Sequence, residues 1–243
     1  MKKISAILEG FLNFPEIDIA GLLAGRRPLI LAPHPDDESL GCGGLIAAAC
    51  DAGFAPVVVI LTDGAASHPG SKQYPPERLR ALRELEAMRA ARSLGLPKQN
   101  LYFLRAPDTR LSAAGPEFED YVERLGEVGR LRGCGIVFAP WLGDLHCDHE
   151  TAAIMAATLS ARHGWALVSY PVWGWLRRGE DVFHEPRQHG WKLKISSELA
   201  RKQQAIAAYQ SQYSELIQDS PAGFKLPEDL LRVFARNFEV YII

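Results

Sequence analysis

Apolar positions in this chain come in short solid runs separated by longer mixed stretches. Pro28-Leu29-Ile30-Leu31-Ala32 is apolar throughout and stops at Pro33, as expected of a strand covered on both faces. The polar stretch His34 to Ser39 follows, and then Gly43 to Asp51, rich in Ala, Leu and Ile, reads as a helix. Val57 to Leu61 is a second strand, closed by Thr62-Asp63-Gly64, and the three pieces make a β-α-β unit. The pattern repeats. It predicts a charge-laced helix over Pro76 to Leu94, a strand over Leu101 to Leu104, a helix over Glu117 to Leu131, a strand over Ile136 to Ala139, a helix over Thr151 to Arg162 and a strand over Ala166 to Tyr170. From Trp173 to Gly190, a stretch that includes Arg177 and Arg178, neither period is clean, and a loop or small insertion is expected. Beyond it the sequence predicts a strand over Trp191 to Ile195 and a helix over Ser197 to Tyr213 with Ser196 as N-cap. A loop over Ser211 to Pro227 and a terminal edge strand over Phe238 to Ile243 complete the reading. Strands and helices in alternation define an α/β protein with a Rossmann-like, doubly wound, mostly parallel sheet. A single domain, 1–243, is expected, with a core at about 28–172 and a C-terminal extension over 173–243.

Composition narrows the partners. The 243 residues, 47% of them hydrophobic, suffice for one large domain. No run of eighteen apolar residues occurs, and the segment Met1 to Phe14 has an early Lys pair but a Glu inside its apolar stretch and no cleavage site. A cytoplasmic protein without membrane insertion is expected. The net charge of −2 and scattered basic residues exclude the footprint of a nucleic-acid binder, so a small molecule is the expected partner, with a homo-oligomer left open. Cys42, Cys50, Cys134 and Cys147 have no metal-finger spacing and are expected to be reduced. Cys42, flanked by glycine, reads as a small hydrophobe, and Cys147 is a minor candidate metal ligand because it sits among histidines.

Two loops carry chemistry. His34-Pro35-Asp36-Asp37-Glu38 sets one imidazole and three carboxylates directly after a buried strand. Adjacent carboxylates repel, and a divalent cation is the usual way to keep them ionised together; an acidic turn capping the next helix is the equally weighted alternative. Asp144-Leu145-His146-Cys147-Asp148-His149-Glu150 follows the fourth strand and again starts a helix, where its acids could serve as caps. In the strand order 3-2-1-4-5 the first and fourth strands are neighbours, and ligands bind at their carboxyl ends. Both loops occupy such ends. His34, Asp37 and His149 then form a two-His, one-carboxylate set suited to catalytic zinc, and equally to ferrous iron. A dinucleotide site fails on spacing: Gly41, Gly43 and Gly44 make no G-x-G-x-x-G, and acids fill the turn that a pyrophosphate would need.

Ala32-Pro33-His34-Pro35-Asp36-Asp37-Glu38, together with His146-Cys147-Asp148-His149, resembles the LmbE-like or PIG-L family of zinc-dependent N-acetylglucosaminyl deacetylases. The first loop is similar to that family's A-H-P-D-D-E with one Pro added, the second to its H-x-D-H. Weaker likenesses, Arg83 to Gly95, Leu104 to Asp108 and Lys202 to Gln212, carry the resemblance in order across residues 28–212. It implies one zinc ion held by His34, Asp37 and His149, and hydrolysis of an N-acyl group from an amino sugar. It also implies Asp36 as general base toward a metal-activated water, and His146 as an imidazolium stabilising the oxyanion, oriented and kept charged by Asp148. Asp144 stands where members acting on mycothiol-type precursors carry Tyr, so such a substrate is not expected.

Asp108 and Arg83 are candidate substrate-binding residues. The alternatives are a turn residue beside Pro107 and, weighted more heavily for Arg83, an ion pair on its own helix. Asp63 reads as a turn former or outer support, and His68, His163, His184 and His189 as surface or loop histidines. Among Trp141, Trp173, Trp175 and Trp191, one or two at most are expected to touch a ligand. Hydrolysis of a different N-acyl substrate and a non-enzymatic sugar- or metal-binding role are the competing accounts; Asp36, a spare base beside a full ligand set, argues against the latter.

Overall fold

The computed structural model describes residues 2–177, 182–183 and 189–243. In chain order these hold β1 (Lys2–Lys3), α1 (Ile4–Leu12), β2 (Glu16–Ile17), α2 (Ile19–Leu23), β3 (Arg27–Ala32), α3 (Asp37–Asp51), β4 (Val57–Thr62), α4 (Pro76–Ser93), β5 (Leu101–Ala106) and α5 (Gly115–Leu131). They continue through β6 (Cys134–Pro140), α6 (Cys147–His163), β7 (Ala166–Tyr170), β8 (Val182–Phe183), β9 (Gly190–Lys194), α7 (Leu199–Ala207), α8 (Gln210–Tyr213), α9 (Glu228–Phe234) and β10 (Phe238–Ile242). Among the described residues no helix is long and apolar enough to cross a membrane.

Strands β5-β4-β3-β6-β7 are all parallel and stand in the expected 3-2-1-4-5 order. Alternate residues of the apolar runs face opposite layers. Ile30, Ala32, Val58 and Ile60 pack with residues of α3, α4 and α7, while Leu29, Leu31, Val57 and Val59 pack with residues of α5 and α6. Burial on both faces is why these strands read as solid apolar runs.

The C-terminal strand is not at an edge. β10 lies between β7 and β9, antiparallel to both, and the edge is β2, parallel to β9 and too short to show a period in sequence. The buried Glu239 of β10 explains the central position, because its carboxylate accepts the Gly44 and Leu45 amides of α3 at 2.7 and 2.8 Å. Lys202 Nζ (2.7 Å) and the Tyr241 hydroxyl (2.8 Å) donate to the same carboxylate. The end of the chain thus grips the helix that carries the first acidic loop.

Other boundaries differ from the sequence reading. Helix α3 begins at Asp37 rather than Gly43, its acids forming the first turn, where the macrodipole favours them. The predicted helix 197–213 starts after Glu198, not Ser196, and breaks at Ala208-Tyr209 into α7 and α8. The break lets Tyr209 turn inward to Glu38 (2.5 Å). Helix α9 follows the predicted loop, and Trp173–Leu176 is a single 3-10 turn. Arg178 and His184 lie outside the described residues.

Gly41 and Gly44 serve packing. A Cβ at Gly41 would stand 2.2 Å from the Tyr170 ring, and one at Gly44 would stand 2.4 Å from Ile195. Tyr170 cannot yield easily, since it is fully buried and its hydroxyl donates to Leu31 O at 2.7 Å. Gly41→Ala is therefore expected to destabilise the fold by about 1–3 kcal/mol. A urea midpoint equal to that of the unmodified chain would show that the helix can shift to admit the methyl group.

Candidate active site

Both acidic loops emerge at the carboxyl ends of adjacent strands, β3 and β6, and meet there. None of the first loop's acids is a solvated cap: Asp36, Asp37 and Glu38 are 6%, 2% and 2% exposed. Asp37 Oδ2 is the meeting point. It lies 3.2 Å from His34 Nδ1 and 3.1 Å from His149 Nε2, and also accepts the His34 amide at 2.9 Å. A tetrahedral shell with metal–ligand bonds of about 2.0–2.1 Å spaces its ligand atoms about 3.3 Å apart, so these separations suit a single small dication.

The far nitrogen of each imidazole is backed by carboxylate. His149 Nδ1 lies 2.9 Å from Asp144 Oδ2, and His34 Nε2 lies 3.1 Å from Asp148 Oδ2 and 3.3 Å from Asp108 Oδ1. Such partners fix the tautomer so that the opposite nitrogen keeps its lone pair, the outer arrangement typical of metal-bound histidine. His149 Nε2, although 3.1 Å from Asp37 Oδ2, makes no aligned hydrogen bond and is buried, which suits a nitrogen whose lone pair a bound cation would take. The donor set present can hold a metal ion. His34, His146 and His149 also offer nitrogens within 4.8 Å of one another.

Electrostatics follow from this crowding. Burial would lower the His149 imidazole, but the Asp37 and Asp144 carboxylates outweigh it and raise the ring to about 9. Burial likewise opposes protonation of His34, yet Asp108, Asp148 and Asp37 lift it well above the ordinary histidine value. Burial pushes Asp36 up to about 8, with Arg83 pulling the other way and Asp37 adding to the rise.

Asp36 sits at φ 141°, a conformation L-residues avoid, and holding it there costs about 1–3 kcal/mol. Its amide donates to Glu38 Oε2 (3.2 Å), whose partner oxygen accepts from Tyr209 and Ser39. Arg83 does not pair on its own helix. Its Nη2 donates to Asp36 (3.1 Å) and Pro35 O (2.5 Å), and its Nη1 to Gly64 O (3.1 Å), so the guanidinium fixes the strained carboxylate.

Asp148 departs from its expected partner. Its carboxylate accepts the Thr109 and Leu111 amides (2.8 and 3.0 Å) and faces His34, whereas His146 Nδ1 receives the Asp148 amide at 3.2 Å. A ring nitrogen that accepts an N–H carries no proton, so His146 is neutral here. Burial, then the neighbouring His34 and His149, depress it to about 4, against the expected imidazolium.

The sequence places Asp144 at the start of the second acidic loop but gives it no role toward the metal ligands. Fully buried, it accepts the Val172, Trp173 and Gly174 amides besides facing His149. A carboxylate five residues before His149 was its only signal. Asp144→Asn is expected to weaken divalent-metal affinity about 10- to 100-fold, measured by competition with a chromophoric chelator. Unchanged affinity would detach Asp144 from the metal centre.

A cavity of about 430 Å³ opens over these groups, with His34, Asp36, Asp108 and His146 at its base and Trp173, Leu176, Phe224 and Leu226 on its walls. Trp141 is core, edge-on to Phe11. His68 is buried rather than at the surface, its Nδ1 3.1 Å from Ser67 Oγ, while His163 stacks on Trp165 and His189 is exposed. Asp63 forms a turn, accepting the Ala65 amide at 3.0 Å.

The fold and site together define a Rossmann-like protein with a candidate mononuclear metal centre at the switch point of its sheet. The chain belongs to the family described as PIG-L: GlcNAc-PI de-N-acetylase, which matches residues 29–160, more than half of it. Diacetylchitobiose deacetylase of Thermococcus kodakarensis is 34% identical over 134 residues, 54% of this chain and 47% of that protein. For 2'-N-acetylparomamine deacetylase of Streptomyces fradiae the identity is 29% over 150 residues, 56% of this chain and 52% of that one. The match thus spans about half the length of these curated relatives. The solved N,N'-diacetylchitobiose deacetylase from Pyrococcus horikoshii, complexed with its inhibitor MPG, shares the fold with a TM-score of 0.64 and 24% identity, over 87% of this chain and 80% of that one.

Proposed function

We propose that this protein is a zinc-dependent N-deacetylase that hydrolyses the acetamide of an N-acetylglucosamine-type sugar. The observation that carries the reading is the pair His34 Nδ1 and His149 Nε2 converging on Asp37 Oδ2, each imidazole backed by carboxylate, with a further carboxylate, Asp36, beside the set but outside it. The deacetylase relatives of Thermococcus kodakarensis and Streptomyces fradiae support the same chemistry.

Zinc bound by His34, Asp37 and His149 would lower the pKa of water and polarise the amide carbonyl. The residues of the chain supply the rest. Asp36, ionised beside a dication despite its burial, takes the proton of the attacking water and is held in place by Arg83. His146, with Nδ1 occupied by the Asp148 amide, keeps its proton on Nε2 and donates it as a hydrogen bond to the oxygen that gains negative charge. The proton on Asp36 then passes to the departing nitrogen as the C–N bond breaks, giving acetate and a free amine. Asp148 and Asp108 act as positioning residues that fix the His34 tautomer.

The test is acetate release from N-acetylglucosamine and N,N'-diacetylchitobiose by zinc-loaded protein, by chelator-stripped protein and by stripped protein given zinc again. Acetate equal to amine, lost on stripping and restored by zinc, is the expected result. No release from any N-acetylated sugar by protein holding about one ion per chain would overturn the proposal.

A further inference from the structure

A second cluster of ligand atoms flanks the site, sharing His146 and Asp148 with the reaction above and adding the unused thiol of Cys147. His146, Cys147 and Asp148 each offer one atom, and the three lie within 4.8 Å of one another. Cys147 is exposed, with Sγ 3.8 Å from Asp148 Oδ1 and 3.7 Å from Thr109 O, beside the cavity that Thr109 and His146 line. Zinc bonds of about 2.3 Å to sulfur and about 2.0 Å to oxygen put those two ligands about 3.5 Å apart, so thiolate and carboxylate already stand close to bonding positions.

The donors are available without dismantling the first centre. Asp148 serves His34 and Thr109 through Oδ2, while Oδ1, nearer the thiol, accepts the Leu111 amide and retains a lone pair. His146 carries its lone pair on Nδ1, where it accepts only the Asp148 amide, at 3.2 Å. The sulfur makes this cluster chemically distinct from the His34–Asp37–His149 set, since thiolate selects soft ions over magnesium or calcium.

We propose that His146, Cys147 and Asp148 form a second, thiolate-containing zinc site beside the cavity, and that filling it stops hydrolysis by taking His146 away from the substrate oxygen. The inhibition rests on the role given to His146 above; the site itself does not. On binding, the Cys147 thiol releases its proton to solvent and the sulfur lone pair forms the bond to zinc, while His146 gives up the hydrogen bond from the Asp148 amide so that its Nδ1 lone pair forms the second bond and Nε2 keeps its proton.

Titration of metal-free protein with Co²⁺ separates the two centres. The first equivalent fills nitrogen and oxygen ligands and gives no thiolate absorption. The second is expected to produce the near-ultraviolet charge-transfer band of a cobalt–thiolate bond. Cys147→Ser, an exposed and conservative change, should keep the first event and lose the band. In assays with rising zinc, acetate release by the unmodified protein should fall beyond the first equivalent. The Ser variant should need at least about tenfold more zinc for the same fall, the loss that even an outer partner commands. If no band appears through several equivalents, or the Ser variant is inhibited identically, the second site is overturned. A band at the first equivalent also overturns it and would put Cys147 in the primary ligand set, against the reading above. Because the band is read without turnover, absence of hydrolysis bears on the proposed function and not on this site.

Discussion

Asp36→Asn is expected to reduce kcat/KM for acetate release by about 10²- to 10⁴-fold, the range that a positioned general base contributes, while the metal content of the purified protein stays unchanged. The substitution is mild in every other respect. Asn tolerates positive φ better than most residues, and Arg83 keeps the Pro35 and Gly64 carbonyls as acceptors when the carboxylate charge is gone. Asp36 makes no contact with His34 or His149 of the kind that Asp37 makes, so the ligand set should survive. Steady-state kinetics on the same preparations used for metal analysis would check both halves. Hydrolysis at the unmodified rate would remove Asp36 from the mechanism and leave the base unidentified. Loss of metal together with activity would make Asp36 a ligand instead.

The double variant His34→Ala, His149→Ala is expected to fall from about one divalent ion per chain to none, and acetate release with it to background. Either imidazole alone leaves Asp37 Oδ2 with one nitrogen neighbour; removing both leaves the carboxylate buried with only the His34-position amide and without counter-charge. Some loss of stability must accompany this, because an unpaired buried carboxylate costs several kcal/mol or takes up a proton. Circular dichroism at low temperature therefore belongs beside the metal measurement by plasma mass spectrometry. A folded double variant that still carries a stoichiometric ion would show that the metal lies elsewhere, and the His146-Cys147-Asp148 cluster would then be the first place to look.

The alternation of apolar runs with helical stretches was enough to specify the parallel core and its strand order, because a strand covered on both faces must be apolar throughout and a parallel connection must cross over through a helix. The same reasoning brought His34 and His149, more than a hundred residues apart, to neighbouring strand ends. Where local pattern is weak, the reading failed. Strand β2 is two residues long, β10 gains its central place from the Glu239 carboxylate gripping α3, and the helix expected over 197–213 breaks so that Tyr209 can reach Glu38. Each of these is decided by a partner far away in the chain.

The site divides in the same way. Residue type, spacing and the expected strand order marked His34, Asp37 and His149 as fit to bind a metal, with helix-capping turns as the alternative, while the proton-carrying roles of Asp36 and His146 came from the family resemblance. Only the tertiary structure decided what each of them does, because a carboxylate's role is set by the one or two atoms within about 3 Å of it. Arg83 turns to Asp36 rather than along its helix, Asp148 turns to His34 rather than His146, and Asp144 closes on His149 through a loop whose amides come from residues 172–174. Those contacts have no period and no local signature, and packing of the two loops against each other is what creates them.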